Sequence, residues 1–304
     1  MKYLIIIFTA FVVSSCTPEE NNSQQTKELQ SLGINDEGLL QCIVNQATEN
    51  NISEITTIQN LECRDIEITS LDGLNSLNNL TSILLDENKI EKIDFTNFPT
   101  LKSIKIFNQY NLSSINIENS STINSVDISN VVIDFFWAIN LNELENTTNI
   151  NIRDSILDEV SLHNTDLSKL NIIHSYLDRL AIKDSLLDTL DMNIIDSDIR
   201  TLKLDNIQPI DEIYFQDDSN YGLTIISFKN MDNLKRILLP VKNIEGVSLN
   251  NLPEIESIIL FGNNIKSFVL GNNVLPNVIS LEDNPLSDTT IDYLDSLANI
   301  EVTY

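Results

Sequence analysis

Leu74-x-x-Leu77-x-x-Leu80-x-x-Ile83-x-Leu85-x-x-Asn88-x-Ile90-x-x-Ile93 is the stretch on which the reading of this chain turns. One alternating pair, Ile83 and Leu85, marks a short strand with both side chains turned the same way. Asn88 stands where a turn needs an amide able to bond main-chain groups. The spaced aliphatics on either side fill the coil behind. Such a unit can bury its face only against a neighbour, so it implies repetition.

The repetition is there in both directions. Inward pairs of the same form recur as Ile83/Leu85, Ile104/Ile106, Val126/Ile128, Ile150/Ile152, Leu170/Ile172, Leu190/Met192, Ile213/Phe215, Ile237/Leu239, Ile258/Leu260 and Ile279/Leu281, spaced by 20 to 24 residues. An incipient pair, Leu61 and Cys63, precedes them by one period. Strands stacked at ~4.8 Å would build a parallel sheet of about 45 Å. A second series lies half a period away, from Ile93/Phe95 to Phe268/Leu270. No helical periodicity lies between the pairs, so the convex side is expected to carry short extended segments or turns.

Residues 74–93 match the consensus LxxLxxLxLxxNxIxxI position by position, and the chain resembles the leucine-rich-repeat proteins of the internalin-like bacterial class over residues 61–286. The resemblance implies a β-dominated α/β solenoid with a parallel concave sheet, about ten coils and a helical N-terminal cap. It also implies recognition of a macromolecule. The chain departs from the pattern where the turn asparagine is missing, as at Gln109. Between Val160 and Met192 the half-coil contracts to 10 residues, while Asp134-Phe135-Phe136-Trp137 and Asp217-Asp218-Ser219-Asn220-Tyr221-Gly222 break the period and read as loops.

Both ends carry cap signals. Asp36 is placed to cap a helix with Leu39, Leu40, Ile43, Val44 and Ala47 on one face. Cys42 lies on that helix and Cys63 in the incipient strand, so the two are candidates for a disulfide, the alternative being two buried thiols. After Asn284-Pro285 the sequence reads as a helix from Asp288 to Leu297 and a last strand from Ile300 to Val302.

The first residues have a different character. Lys2 is followed by an apolar run that ends at Val13-Ser14-Ser15-Cys16, too short to span a bilayer as a helix. It resembles a bacterial lipoprotein signal, which implies lipidation of Cys16 and removal of residues 1–15. Glu19-Glu20 resembles the surface-export signal of Bacteroidetes lipoproteins, which implies the outer membrane and its outer face. Residues 16–31 are polar without apolar periodicity and read as a flexible tether. The further boundaries are 32–78 for the cap and first repeat, 79–286 for the solenoid and 287–304 for the C-terminal cap.

Loss of Lys2 leaves 17 basic against 45 acidic residues. That excess repels a polyanion and excludes nucleic acid as a partner. His163 and His174 are the only neutral-pH bases and lie half a coil apart, so they cannot share a catalytic site. No phosphate-binding or metalloprotease motif occurs, and the chain is read as neither an enzyme nor a cofactor protein. Asp158, Asp178 and Asp198 recur at 20-residue spacing and are expected to stack as solvated turn carboxylates; a Ca²⁺ ladder is the sharper alternative.

The residues beside each inward pair project outward from the sheet. In the first half they are small or polar, as with Asp127, Ser129 and Asn151. Toward the C-terminal end they become Tyr214, Leu238, Ile259 and Phe261, with Arg236 beside them, and Phe107 stands alone earlier. Apolar and aromatic groups with an arginine on an acidic surface suit a protein-binding patch. The expected partner is a protein. A polysaccharide stacked on Trp137, Tyr214 or Tyr221 is the rival, and an architectural or adhesive role is the third reading.

Overall fold

The computed structural model describes residues 18–133, 138–167, 169–187, 192–195, 197–214 and 222–304. Cys16, the export signal, Trp137 and Tyr221 lie outside them. The first series of pairs becomes a seven-stranded parallel sheet running from Asn60–Arg64 to Met192–Ile195, followed by a five-stranded one running from Glu212–Tyr214 to Glu301–Thr303. Each strand pairs in parallel with its counterpart one coil away, as Ile83 with Ile104 and Val126 with Ile150. The chain is a β-solenoid of parallel coils.

Alternation decides which side chains enter the core. Strand Ser103–Phe107 buries Ile104 and Ile106 and turns Ser103, Lys105 and Phe107 outward; Ser125–Ser129 does the same, while in Ser82–Asp86 the outward Leu84 is buried as well. The core is therefore a continuous stack of aliphatics, with Phe95, Phe228 and Phe268 among its largest fully buried members. A slip of one residue would exchange the two faces.

Among the described residues, the corners after strands use the left-handed region of backbone space. Asp65, Glu87, Asn108, Asn130, Asp154 and His174 follow the first sheet's strands at positive φ; on the other side Asn97, Asn119, Asn164 and Asn230 do so, and Asp184 and Asn206 bend the long strands Tyr176–Leu187 and Asp198–Gln208. Asn and Asp tolerate that conformation because a short polar side chain can bond locally. Their amides also bond from coil to coil: Asn130 Nδ2 donates to Asn108 Oδ1 at 2.6 Å, and Asn251 Nδ2 to Asn230 Oδ1 at 3.0 Å.

The second series differs from the expectation of short convex segments. It forms a nine-stranded parallel sheet from Lys92–Asp94 to Gly246–Asn250, so the coils it spans have two sheet faces. The physical reason is its own strict alternation, for example the buried Ile115 and Ile117. Its last pair, Phe268/Leu270, forms no strand. There the backbones approach so closely that a Cβ on Gly271 would sit 2.1 Å from the Leu249 carbonyl oxygen.

Two further expectations are corrected. Residues 18–31, read as tether, form helix α1 (Pro18–Ser31), which packs on α2 (Glu37–Glu49). Leu29 is buried, and Gln25 donates from Nε2 to the Ile52 carbonyl at 3.1 Å. One buried leucine and one amide donating across to Ile52 suffice when the face they cover already exists. The coil after Leu170/Ile172 is registered by Met192 and Ile194, not by Leu190 and Met192. The period thus returns to 22 residues, and Asp198 pairs with Tyr176 instead of continuing the ladder of Asp158 and Asp178.

The caps close the N-terminal end. Asp36 accepts from Leu39 N at 2.8 Å at the start of α2, and its second oxygen takes Thr69 N and Oγ1. Cys42 on α2 and Cys63 on the first strand are joined by a disulfide with their Cα atoms 5.6 Å apart. At the other end, Ser287 caps α3 (Asp288–Asp295).

Candidate functional site

Tyr214, Leu238 and Ile259 occupy one register row on three adjacent strands, Tyr214 beside Leu238 and Leu238 beside Ile259. Adjacent strands lie ~4.8 Å apart, so the three side chains form an unbroken outward strip. Their neighbours Ile213, Ile237 and Ile258 are fully buried, which fixes the register. Tyr214 is 48% exposed and Phe261, two residues beyond Ile259, is 37% exposed. Leu238 and Ile259 are half-buried, flanked by the larger groups. The row continues through Ser280 and Thr303, where it becomes polar.

Val241 belongs to this surface and was not singled out from the sequence. It is 49% exposed at a corner, and its N–H donates to the Phe261 carbonyl at 3.0 Å. Its φ of 54° is unfavourable for a β-branched residue. The signal was present: the corner position, filled elsewhere by Asn, Asp, Glu, His or Gly, here carries valine.

The strip's arginine is already engaged. Arg236 donates from Nε to Glu212 Oε2 at 2.8 Å on the adjacent strand. The Glu212 hydrogen bond and charge, with Asp211 and Glu256 nearby, raise the arginine above its ordinary pKa. Phe107 is not brought to the strip. Its strand lies between Ser82–Asp86 and Ser125–Ser129, deep in the seven-stranded sheet.

Elsewhere the titratable groups form local pairs. His163 is on the second sheet with Nε2 3.1 Å from Asp184 Oδ2, and His174 follows a first-sheet strand with Nδ1 3.4 Å from Asp154 Oδ1. The two imidazoles therefore belong to different faces. Asp178 meets Arg200 Nη1 at 3.3 Å, and these two with Asp158, Ile156 and Tyr176 line a small cleft. Among the described residues no group of three or more His, Cys, Asp or Glu could hold a metal ion, and no helix is long and apolar enough to cross a membrane.

Residues 34–155 match the family model of the leucine-rich-repeat domain of the endo-β-N-acetylglucosaminidase EndoS. No curated protein matches the chain. Among solved structures, it is similar to an internalin (inlF) from Listeria monocytogenes at 13% identity and a TM-score of 0.27, over 88% of this chain and 94% of that one. A leucine-rich-repeat protein from Leptospira interrogans is similar at 11% identity and a TM-score of 0.26, over 84% and 92%. The functional domain of InlJ from Listeria monocytogenes is similar at 12% and 0.21, over 83% and 70%. At these values the likenesses add nothing to the topology already described.

Proposed function

We propose that this leucine-rich-repeat solenoid is a lipid-anchored protein of the cell envelope, held through Cys16 at the outer face of the outer membrane, that recognises a protein partner through the strip Tyr214, Leu238, Ile259 and Phe261. The observation that carries the reading is the single register row, in which apolar groups project outward from three consecutive strands of an otherwise acidic chain. Exposed aromatic and aliphatic groups in contact are where desolvation rewards a complementary surface. Arg236, paired with Glu212, lies at the edge of the strip and supplies polar definition more than net charge.

The anchor rests on the lipobox-like ending Val13-Ser14-Ser15-Cys16 and the acidic pair behind it. Mass spectrometry of the mature N-terminus tests it directly: a diacylated Cys16 supports it, and a cleavage site elsewhere with a free thiol removes it. Protease treatment of intact cells distinguishes the outer face from the periplasmic one.

The recognition reading is tested by immobilising the protein through its N-terminus against envelope extracts. Capture of a discrete protein that disappears in the triple variant Tyr214→Ser, Leu238→Ser and Phe261→Ser supports it, provided the variant keeps its melting temperature. Unchanged capture refutes it. Glycan capture is the second reading, favoured by the exposed ring of Tyr214 and by the matched domain belonging to a protein named for glycan cleavage. A polysaccharide panel separates the two.

A further inference from the structure

The two ends of the solenoid are finished differently. At the N-terminal end α2 lies on the first strand with α1 packed on α2, and the Cys42–Cys63 disulfide ties α2 to the edge strand. At the C-terminal end α3 buries Thr290 and Leu294. Leu297, Ile300 and Val302 pack on the core but remain half-exposed. Among the described residues, strand Glu301–Thr303 is paired on one side only, with Val278–Ser280.

The hydrogen bonds tell which groups face the open side. Glu301 N donates to the Asn277 carbonyl at 2.9 Å, and the Thr303 carbonyl accepts from Leu281 N at 2.7 Å. In a parallel ladder both main-chain groups of alternate residues point to the same neighbour. Residues 301 and 303 therefore face the sheet, and the N–H and C=O of Val302 face the open edge. An edge of this kind is a template for another extended chain.

Chemistry beside the edge narrows what such a chain would be. A groove of mixed character runs along it, lined by Leu294, Leu297, Ile300 and Val302 and by the polar Glu282, Asp295, Thr303 and Tyr304. After Lys266 the sequence holds Glu282, Asp283, Asp288, Asp292, Asp295 and Glu301 and no lysine or arginine at all. The end of the solenoid thus offers unpaired strand groups, a groove in which aliphatic side chains alternate with polar ones, and charge of a single sign.

We propose that the Glu301–Thr303 edge receives an extended segment of a partner protein in which basic and apolar residues alternate, added as a further strand of the five-stranded sheet. Its main chain bonds the outward groups of Val302, its apolar side chains enter the groove, and its lysines or arginines face Glu282 and Asp295. A second copy of this chain is the poorer occupant, because it would bring the same carboxylates against themselves. The site stands apart from the apolar strip, from which the polar Ser280 and Thr303 separate it.

The test uses the purified full chain and a short fluorescein-labelled peptide alternating lysine and valine, read by anisotropy. The expected result is binding that weakens with salt, and at least about tenfold weaker binding of the fully N-methylated peptide and of its glutamate–valine counterpart. Val302→Pro should weaken it about as much while leaving the fold intact, since that N–H serves no ladder bond and proline is accepted on edge strands. Should that variant fail to fold, Glu282→Lys with Asp295→Lys should exchange the preference between the lysine and glutamate peptides. The proposal is overturned if the N-methylated peptide binds as well as its parent, or if folded Val302→Pro binds unchanged. It is equally overturned if the peptide does not bind and the protein instead forms a dimer that Val302→Pro abolishes, which would make a second copy the occupant.

Discussion

Arg236 and Glu212 face each other across adjacent strands, with Arg236 Nε 2.8 Å from Glu212 Oε2 and Nη2 sharing the same oxygen. The pair forms the row beside that of Tyr214 and Leu238 on the same two strands, so the charge there is satisfied before any partner arrives. Exposed pairs of this kind add little to folding, because solvent screens them and ordering two long side chains costs entropy. Glu212→Gln and Arg236→Gln, singly and together, are expected to leave the melting temperature unchanged by scanning calorimetry. A clear drop in either would mean that the pair organises its strands.

Asp36 titration should appear in the acid stability of the N-terminal cap. Burial raises its pKa, but hydrogen bonds from the Thr69 hydroxyl and from the N–H groups of Leu39, Thr69 and Ser70 outweigh it and hold the carboxyl below 3.8. A folded pKa below the unfolded one stabilises the fold fully above the unfolded value, and the contribution is lost as pH falls through the folded value. The stability gap between wild type and Asp36→Asn should therefore be constant near neutrality and shrink below pH 3.8. Chemical denaturation at a series of pH values measures it, and a gap that widens in acid would reverse the assignment. Asp36→Ala should cost about 1 kcal/mol or more through the lost cap.

The turn amides make a ladder with a fault in it. Asn88 accepts from Ile68 N at 3.2 Å and donates to the carbonyls of Cys63 and Asp86 at 3.0 and 2.9 Å, joining two coils. Gln109, one coil on, donates to the Phe107 carbonyl, but its buried Oε1 has no partner. Further along, Ser155, Ser175 and Ser197 take over, each hydroxyl accepting from the coil before it. Asn88→Ala should cost about 2 kcal/mol or more, and Gln109→Asn should gain about 1 kcal/mol by restoring the shorter amide. Loss of stability in Gln109→Asn would show that the fully buried longer side chain is needed to fill the turn.

The ladder was legible in the sequence because burial imposes it: Ile237/Leu239 and Ile258/Leu260 can only be inward if the period holds, and Tyr214, Leu238 and Ile259 must then face out. The corners are legible too, as Asn, Asp, Glu or His four residues after the first residue of most pairs, with Val241 and Gly262 departing. Helix α1 was not legible. Its burial rests on Leu29 and Gln25, and whether one leucine orders a polar segment depends on the face it meets. The two residues inserted before Met192 were hidden because Leu190 and Met192 also satisfy the alternation. Local pattern fixes register only to within a slip of two, and the neighbouring coil decides.

The Cys42–Cys63 bond closes a loop with a sequence separation of 21 and ties the cap to the first strand. Its replacement, Cys42→Ser with Cys63→Ser, should lower stability by about 3 kcal/mol. In a solenoid each coil contacts only its neighbours, so the effect should be local. Hydrogen exchange should rise in α1, α2 and strand Asn60–Arg64 and stay unchanged from Arg236 onward. Uniform acceleration along the chain would mean that the coils unfold as one unit.

Val241 adopts a φ of 54° while its counterpart one coil on is Gly262, at 68°. A Cβ added at Gly262 would lie 3.1 Å from Val241 Cγ2, so the valine side chain reaches over that glycine, next to Phe261. A β-branched residue in the left-handed region costs on the order of 1 kcal/mol, whereas asparagine, used at most other corners, costs less. Val241→Asn should therefore raise stability by about 1 kcal/mol while shortening the apolar platform beside Phe261. Strain retained at a surface position is explained if the valine serves binding, and partner capture by the more stable variant should then be weaker than by the wild type. A variant that gains stability and captures equally well would place Val241 outside the recognition surface and confine the strip to Tyr214, Leu238, Ile259 and Phe261.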